Sequence, residues 1–176
     1  MTSASTKIAV LSDTHGRMPR AVLAALHEQQ PDAIIHAGDS ESEHALSQLE
    51  LIAPVLAVQG NCDWHPDLET LPLVAKQQWG NSLIVVSHRP QDVQKTLQAL
   101  PTPTQDRPYV IGIHGHTHVP KDEWRSKSSP TQIAQTLLLC PGSPVEPREG
   151  SEASIALLTV AAAGSDTPPQ LEFINL

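Results

Sequence analysis

Apolar and polar residues alternate in a regular order along the first sixty positions. KIAVLSD (7–13) is a short apolar run, and MPRAVLAALHEQQ (18–30) has helical spacing with Pro19 near its start. DAIIHAGD (32–39) is a second run, SESEHALSQLE (40–50) a helical stretch opening on Ser and Glu, and APVLAVQGN (53–61) a third run. Strand, helix, strand, helix, strand implies two right-handed crossovers and a parallel sheet. The pattern then changes. LPLVAKQQWGNSLIVVSH (71–88) reads as a hairpin with Gly80-Asn81 at its turn. A short helix, QDVQKTLQAL (91–100), and a Pro/Thr-rich loop, PTPTQDRP (101–108), precede a buried strand, YVIGIHG (109–115). VPKDEWRSK (119–127), QTLLLCPGS (135–143), SIALLTVAA (154–162) and LEFINL (171–176) read as further strands, and RSKSSPTQIAQ (125–135) as a mobile surface loop. With no internal repeat and no linker long enough to divide the chain, residues 1–176 are expected to form one α/β domain.

Composition narrows the classes. At 176 residues the chain can bury a core without staples, and with 3% aromatics that core must rest on Leu, Val, Ile and Ala. Eleven Lys plus Arg against 19 Asp plus Glu give a net charge of -8, which argues against a surface that holds duplex nucleic acid by its phosphates. A small phosphorylated substrate is not excluded, because its binding depends on local charge. Cys62 and Cys140 are too few for a disulfide framework and lack zinc-ribbon spacing. No signal-peptide pattern and no stretch of ~18 apolar residues is evident, so the expectation is a cytoplasmic protein with no membrane span. The later strands could expose an edge that pairs two subunits, so a homo-oligomer is open.

The candidate chemistry lies where the apolar runs end. They stop in SDTHG (12–16), HAGDS (36–40), QGNCD (59–63), VSHRP (86–90) and HGHTH (114–118). Ligands of open α/β sheets sit outside the carboxyl ends of the strands. If the strands share a direction, Asp13, His15, Asp39, Asn61, His88, His116 and His118 meet in one place. Singly, each has a plain reading. Asp13 or Asp39 would cap a helix, Gly60-Asn61 would make a turn, and His88 would be a satisfied histidine at the core's edge. Together, two carboxylates and four imidazoles without a common partner would leave several polar groups unsatisfied, each costing ~1–3 kcal/mol. Divalent cations resolve this. A set of oxygen and nitrogen donors without thiolate suits Mn²⁺, Fe²⁺, Zn²⁺, Co²⁺ or Ni²⁺. Seven ligands exceed what one ion takes while keeping open positions, so two ions sharing a carboxylate fit better.

These motifs, D-x-H, G-D, G-N-x-D, an isolated His and G-H-x-H, resemble those of the calcineurin-like metallophosphoesterase superfamily. GNCD, the small size and PGSPVEPR (141–148) are most similar to its small bacterial and archaeal phosphodiesterase branch. The resemblance covers about residues 7–160 and implies a four-layer α/β/β/α sandwich with mixed sheets. It also implies two divalent metal ions, Mn²⁺ foremost. Asp13, His15 and His118 would hold one, Asp39 would bridge, and Asn61, His88 and His116 would complete the second. Asp63 would orient a ligand by hydrogen bonding. His36 and His114 would be packed beneath the site. Two departures stand out. Cys62 replaces a His that in many members helps protonate the leaving group. SHRP replaces H-G-H, which puts Arg89 where it could contact a phosphate oxygen.

The implied activity is hydrolysis of phosphodiester bonds in a small substrate by a metal-activated hydroxide, with Asn61 and Asp63 as the candidate catalytic residues beside the ions. Two ions ~3.5–4 Å apart can activate a bridging water and clamp the attacking and leaving oxygens. About +4 from the metals against -2 from Asp13 and Asp39 and -1 from hydroxide leaves about +1, so the site attracts phosphate within an acidic protein. A phosphomonoesterase acting on nucleotides or sugar phosphates, and a non-catalytic scaffold of the same fold, are the alternatives.

Overall fold

The computed structural model describes residues 5–100, 108–129 and 132–176; most of the Pro/Thr-rich loop expected at 101–108 lies outside them. Three parallel strands open the chain: β1 (Thr6–Leu11), β2 (Ala33–His36) and β3 (Val55–Ala57). Between them run α1 (Arg20–Gln29) and α2 (Glu43–Glu50). Pro19 occupies the residue just before α1, and α2 starts from Ser42, whose side chain accepts the Ala45 N–H. The hairpin follows as β4 (Val74–Trp79) and β5 (Ser82–Ser87), then α3 (Pro90–Gln98) and β6 (Tyr109–Ile113). The last strands are β7 (Lys121–Ser129), β8 (Gln132–Cys140), β9 (Ser154–Val160) and β10 (Gln170–Asn175).

Two mixed sheets result, in the orders β10-β9-β1-β2-β3 and β4-β5-β6-β8-β7. The period-2 alternation of the strands builds the layers. From β1, Ile8 and Val10 face the second sheet and join Ile84, Val86, Ile111, Ile113, Leu137 and Leu139 in one core. Ala9 and Leu11 face the other way and pack with Val22 and Leu26 of α1 and Leu46 and Leu49 of α2. The fourth layer is α3 alone, seated on the outer face of β6. A Cβ at Gly112 would come within 2.6 Å of Val93 and 2.9 Å of Leu97, so this glycine is what lets α3 approach. Helices, sheet, sheet, helix is the α/β/β/α order that the resemblance implies.

One expectation fails. Residues 125–129 and 132–135 are not a loop, for β7 and β8 pair antiparallel from Lys121↔Cys140 to Ser129↔Gln132. Backbone pairing at a sheet edge needs no apolar face, so this Ser- and Lys-rich end of the ribbon carries no alternation to read. The predicted third run was also too long. Its ladder spans only Val55–Ala57, after which the chain turns out toward Gly60.

Filling the gap at Gly112 should therefore separate the fourth layer from the other three. Gly112→Val is expected to lose about 1–3 kcal/mol by overpacking, read as a lower denaturant midpoint with an unchanged slope. A midpoint equal to that of the wild type would mean that α3 does not rest on β6 as described.

Candidate metal centre

All the predicted ligands follow strand carboxyl ends that point the same way. Asp13 and His15 lie just past β1, Asp39 past β2, Asn61 past β3, His88 past β5, and His116 and His118 past β6. Cross-links tie these ends together. Asp13 N–H donates to Gly38 O at 3.0 Å and His15 N–H to Asp39 O at 3.0 Å, joining the β1 and β2 ends. His88 Nδ1 bonds Ala37 O at 2.9 Å, joining the two sheets, and Gly115 N–H bonds His88 O at 3.0 Å, joining the β5 and β6 ends.

The backbone around the site is strained, and its glycines are obligatory for contact reasons. Among the described residues eight non-glycine positions have positive φ, and six surround this cleft: Asp13, His15, Asp39, Glu41, His116 and His118. Such conformations turn successive side chains inward from a chain that has just left a strand. A Cβ on Gly60 would overlap the Asp39 carboxylate, and one on Gly115 would overlap Ser12 and crowd Asp13. A Cβ on Gly38 would meet the His88 ring at 2.7 Å. The glycines of G-D, G-N and G-H are therefore the spaces into which the acidic and imidazole groups fit.

Three clusters of ligand atoms result among the described residues, each with every atom within 4.8 Å of the others: Asp13, His15 and His118; Asp13, Asp39 and His88; and His15, Glu41 and Cys62. Within the first, His15 Nε2 faces His118 Nε2 at 3.2 Å, and His118 Nε2 lies 3.2 Å from Asp13. Within the second, His88 Nε2 lies 3.2 Å from Asp39. Asp13 is the carboxylate common to the first two. One Asp39 oxygen is taken by the Cys62 N–H at 2.7 Å. The ring of exposed His116 stands edge-on to His88, with centroids 5.2 Å apart.

Charge is poised for cations. Burial opposes ionisation of Asp39, yet the adjacent His88 ring and the hydrogen bond from the Cys62 N–H hold its carboxyl down at about 2. Burial pushes Asp13 up, against the hydrogen bond from Ser12. Burial disfavours the protonated His88 ring, but the adjacent Asp39 carboxylate and the charge of Asp13 outweigh this and raise it. His116 is shifted down by desolvation and by the neighbouring His88. A divalent ion would satisfy both carboxylates and leave the imidazoles neutral.

Two atoms test whether such an ion fits. Among the described residues, the buried Asn61 Oδ1 and His88 Nε2 have no hydrogen-bond partner, nor has His36 Nδ1 deeper in the fold. The first two belong to residues predicted for the same ion, and unpaired buried acceptors are costly in a native structure. The histidine tautomers agree. His118 Nδ1 donates to Glu146 O at 2.7 Å and His88 Nδ1 to Ala37 O, so each proton sits on Nδ1 and leaves Nε2 as a donor to metal. His15 Nδ1 bonds the Glu41 carboxylate at 2.5 Å, which presents its Nε2 in the same way. The residues present thus fit divalent metal.

Other predicted positions fall as follows. The Asp63 carboxylate takes the backbone N–H groups of Asp39, Glu41 and Gly60 and the Ser40 hydroxyl, so it anchors the main chain that carries Asp39. Arg89 is exposed and lines a cavity with Asn61. His36 is buried with Nε2 on Thr14 and its pKa pushed down to about 4 by burial, and His114 Nδ1 bonds Gly115 O. Neither belongs to a ligand cluster. Sequence reasoning missed Glu41, although it stands in GDSE directly beyond Asp39. It missed the Glu146 carbonyl as well, which no side-chain pattern could reveal.

Comparison with known proteins adds the lineage. The family model for the calcineurin-like phosphoesterase superfamily domain matches residues 6–163. A probable metallophosphoesterase of Methanothermobacter thermautotrophicus is 34% identical over 148 residues, covering 80% of this chain and 78% of that one. Among solved structures, a predicted phosphoesterase from Streptococcus pneumoniae TIGR4 superposes with a TM-score of 0.68 at 22% identity, covering 98% and 91% of the two chains. A novel archaeal phosphodiesterase gives 0.63 at 20% identity, covering 97% and 99%. At these identities the two structures speak for the fold.

If Glu41 fixes the His15 ring, its loss should be felt in metal binding. Glu41→Ala is expected to weaken Mn²⁺ binding about 10–100-fold by isothermal titration calorimetry. Unchanged affinity would show that His15 needs no such anchor.

Proposed function

Because the chain belongs to the calcineurin-like phosphoesterase superfamily, we propose that it is a two-metal phosphodiesterase acting on a small phosphorylated substrate in the cytoplasm. The observation that carries the reading is the pair of buried atoms, Asn61 Oδ1 and His88 Nε2, that have no hydrogen-bond partner among the described residues and stand beside the Asp13 and Asp39 carboxylates. Asp13, His15 and His118 hold one divalent ion in this reading. Asn61, His88 and His116 hold the other, with Asp39 shared and Mn²⁺ the first choice among Mn, Fe, Zn, Co and Ni. When bound, such ions supply Lewis acidity and a water of lowered pKa.

The chain's own groups do the positioning. Asn61 presents its amide oxygen inward while its nitrogen rests on Cys62 Sγ at 3.2 Å, so the same side chain can orient a phosphoryl oxygen. Arg89 stands at the mouth to take a second phosphate oxygen. Asp63 keeps the Asp39 main chain in place. Cys62 is no nucleophile. Burial and the Asp39 charge push its thiol up to about 11, and attack by a metal-activated hydroxide needs no covalent intermediate on the chain. The same shift makes Cys62 a weak proton donor, which favours substrates whose leaving group departs without help. A diester is preferred over a monoester on the fold likeness to the archaeal phosphodiesterase.

Metal-stripped protein should leave bis-p-nitrophenyl phosphate intact and hydrolyse it once Mn²⁺ is added, faster than p-nitrophenyl phosphate. Asn61→Ala and His88→Ala should abolish turnover with the fold retained. Faster monoester turnover would turn the assignment to a phosphomonoesterase. No turnover of either ester, with every metal tried and folded protein, would favour a scaffold.

A further inference from the structure

Five aromatic side chains, three Trp, one Tyr and one Phe, are all that the chain possesses. Trp79 and Phe173 pack against the core between the sheets, Tyr109 is buried, and Trp124 is 42% exposed on the edge strand β7. Trp64 is the exception at 79% exposure. An indole facing water forgoes the largest apolar burial that any side chain offers. Its place is not arbitrary, for it lines a cavity of about 430 Å³ whose walls include Asn61, Gln59, Glu69 and Arg89.

The platform under Trp64 is rigid. The preceding residue is Asp63, whose carboxylate accepts three backbone N–H bonds and one from a hydroxyl. The Trp64 N–H bonds Cys62 O at 3.0 Å. Downstream, Leu68 is fully buried, and its N–H and that of Glu69 return to His65 O. The backbone that carries the indole is thus tied to the same anchor that fixes Asp39. The remaining walls sort by chemistry. Asn61 opens toward the ligand clusters, Arg89 offers a planar cation, and Glu69 and Gln59 offer acceptors for ring N–H groups.

From this arrangement we propose that the cavity binds a nucleobase of the esterified organic group, stacked on Trp64 and bonded at its N–H edge by Glu69, while the attached phosphate lies at Asn61 and Arg89. The substrate class is then a nucleoside phosphodiester. This rests on the phosphoesterase reading above and narrows it. Phosphate specifies little beyond charge, whereas an aromatic face and a carboxylate acceptor together select a flat ring that carries donors.

The test is equilibrium binding of product-like probes to the Mn²⁺-loaded protein, by calorimetry: thymidine 5′-monophosphate, phenyl phosphate and methyl phosphate. The nucleotide should bind about tenfold or more tighter than methyl phosphate, as one stacked base allows. Trp64→Ala should bring that ratio to about two or below, and Trp64→Phe should restore most of it. Glu69→Gln should narrow the gap between the nucleotide and phenyl phosphate. Equal binding of nucleotide and methyl phosphate by the wild type, or a ratio unmoved in Trp64→Ala, overturns the proposal. Phenyl phosphate matching the nucleotide in the wild type also overturns it, leaving a pocket for any ring. Failure of the parent reading looks different. The Trp64-dependent preference would then persist in a protein that hydrolyses no phosphate ester.

Discussion

Everything at the strand ends depends on one electrostatic demand. Two buried aspartates and the imidazoles of His15, His88 and His118 are brought into clusters whose ligand atoms lie within 4.8 Å of one another, and beside them Asn61 Oδ1 and His88 Nε2 have no hydrogen-bond partner among the described residues. Desolvated like charges repel and unpaired acceptors are costly. A folded chain tolerates this arrangement when positive charge completes it. The rest of the fold can be understood as what holds these groups in place until it does. Two sheets share a core of branched aliphatics, and both release their parallel strands at the same edge.

Holding them there consumes backbone freedom. Asp13, His15, Asp39, His116 and His118 all adopt left-handed conformations, and the motif glycines vanish into the space that the carboxylates need. Neither feature helps stability. The compensation comes from the surrounding hydrogen bonds: Asp63 on three main-chain N–H groups, Ser143 on Asp13 O, and Glu146 O on His118. Strain at the centre and over-determination around it go together, as expected where geometry must be set before a ligand arrives.

Much of this was legible in the chain. Parallel runs each closing on Asp, Asn or His predicted a common edge, because strand direction and the open-sheet rule suffice to place those residues. The four layers came through the family resemblance, and the two faces of β1 bear them out. Other parts had no pattern to read. The far end of the β7–β8 ribbon pairs through its backbone, and RSKSS (125–129) shows no apolar alternation. Glu41 reaches His15 from a loop by a left-handed turn that no propensity foretells. Trp64 looks like an ordinary loop residue until the cavity beside it is seen.

The number of Mn²⁺ ions bound per chain at saturation, by equilibrium dialysis of metal-stripped protein, tests the central claim most directly. The account predicts two per chain in the wild type, with Asn61→Ala and His88→Ala each binding fewer. A single ion, or two that persist unchanged in both variants, would contradict it.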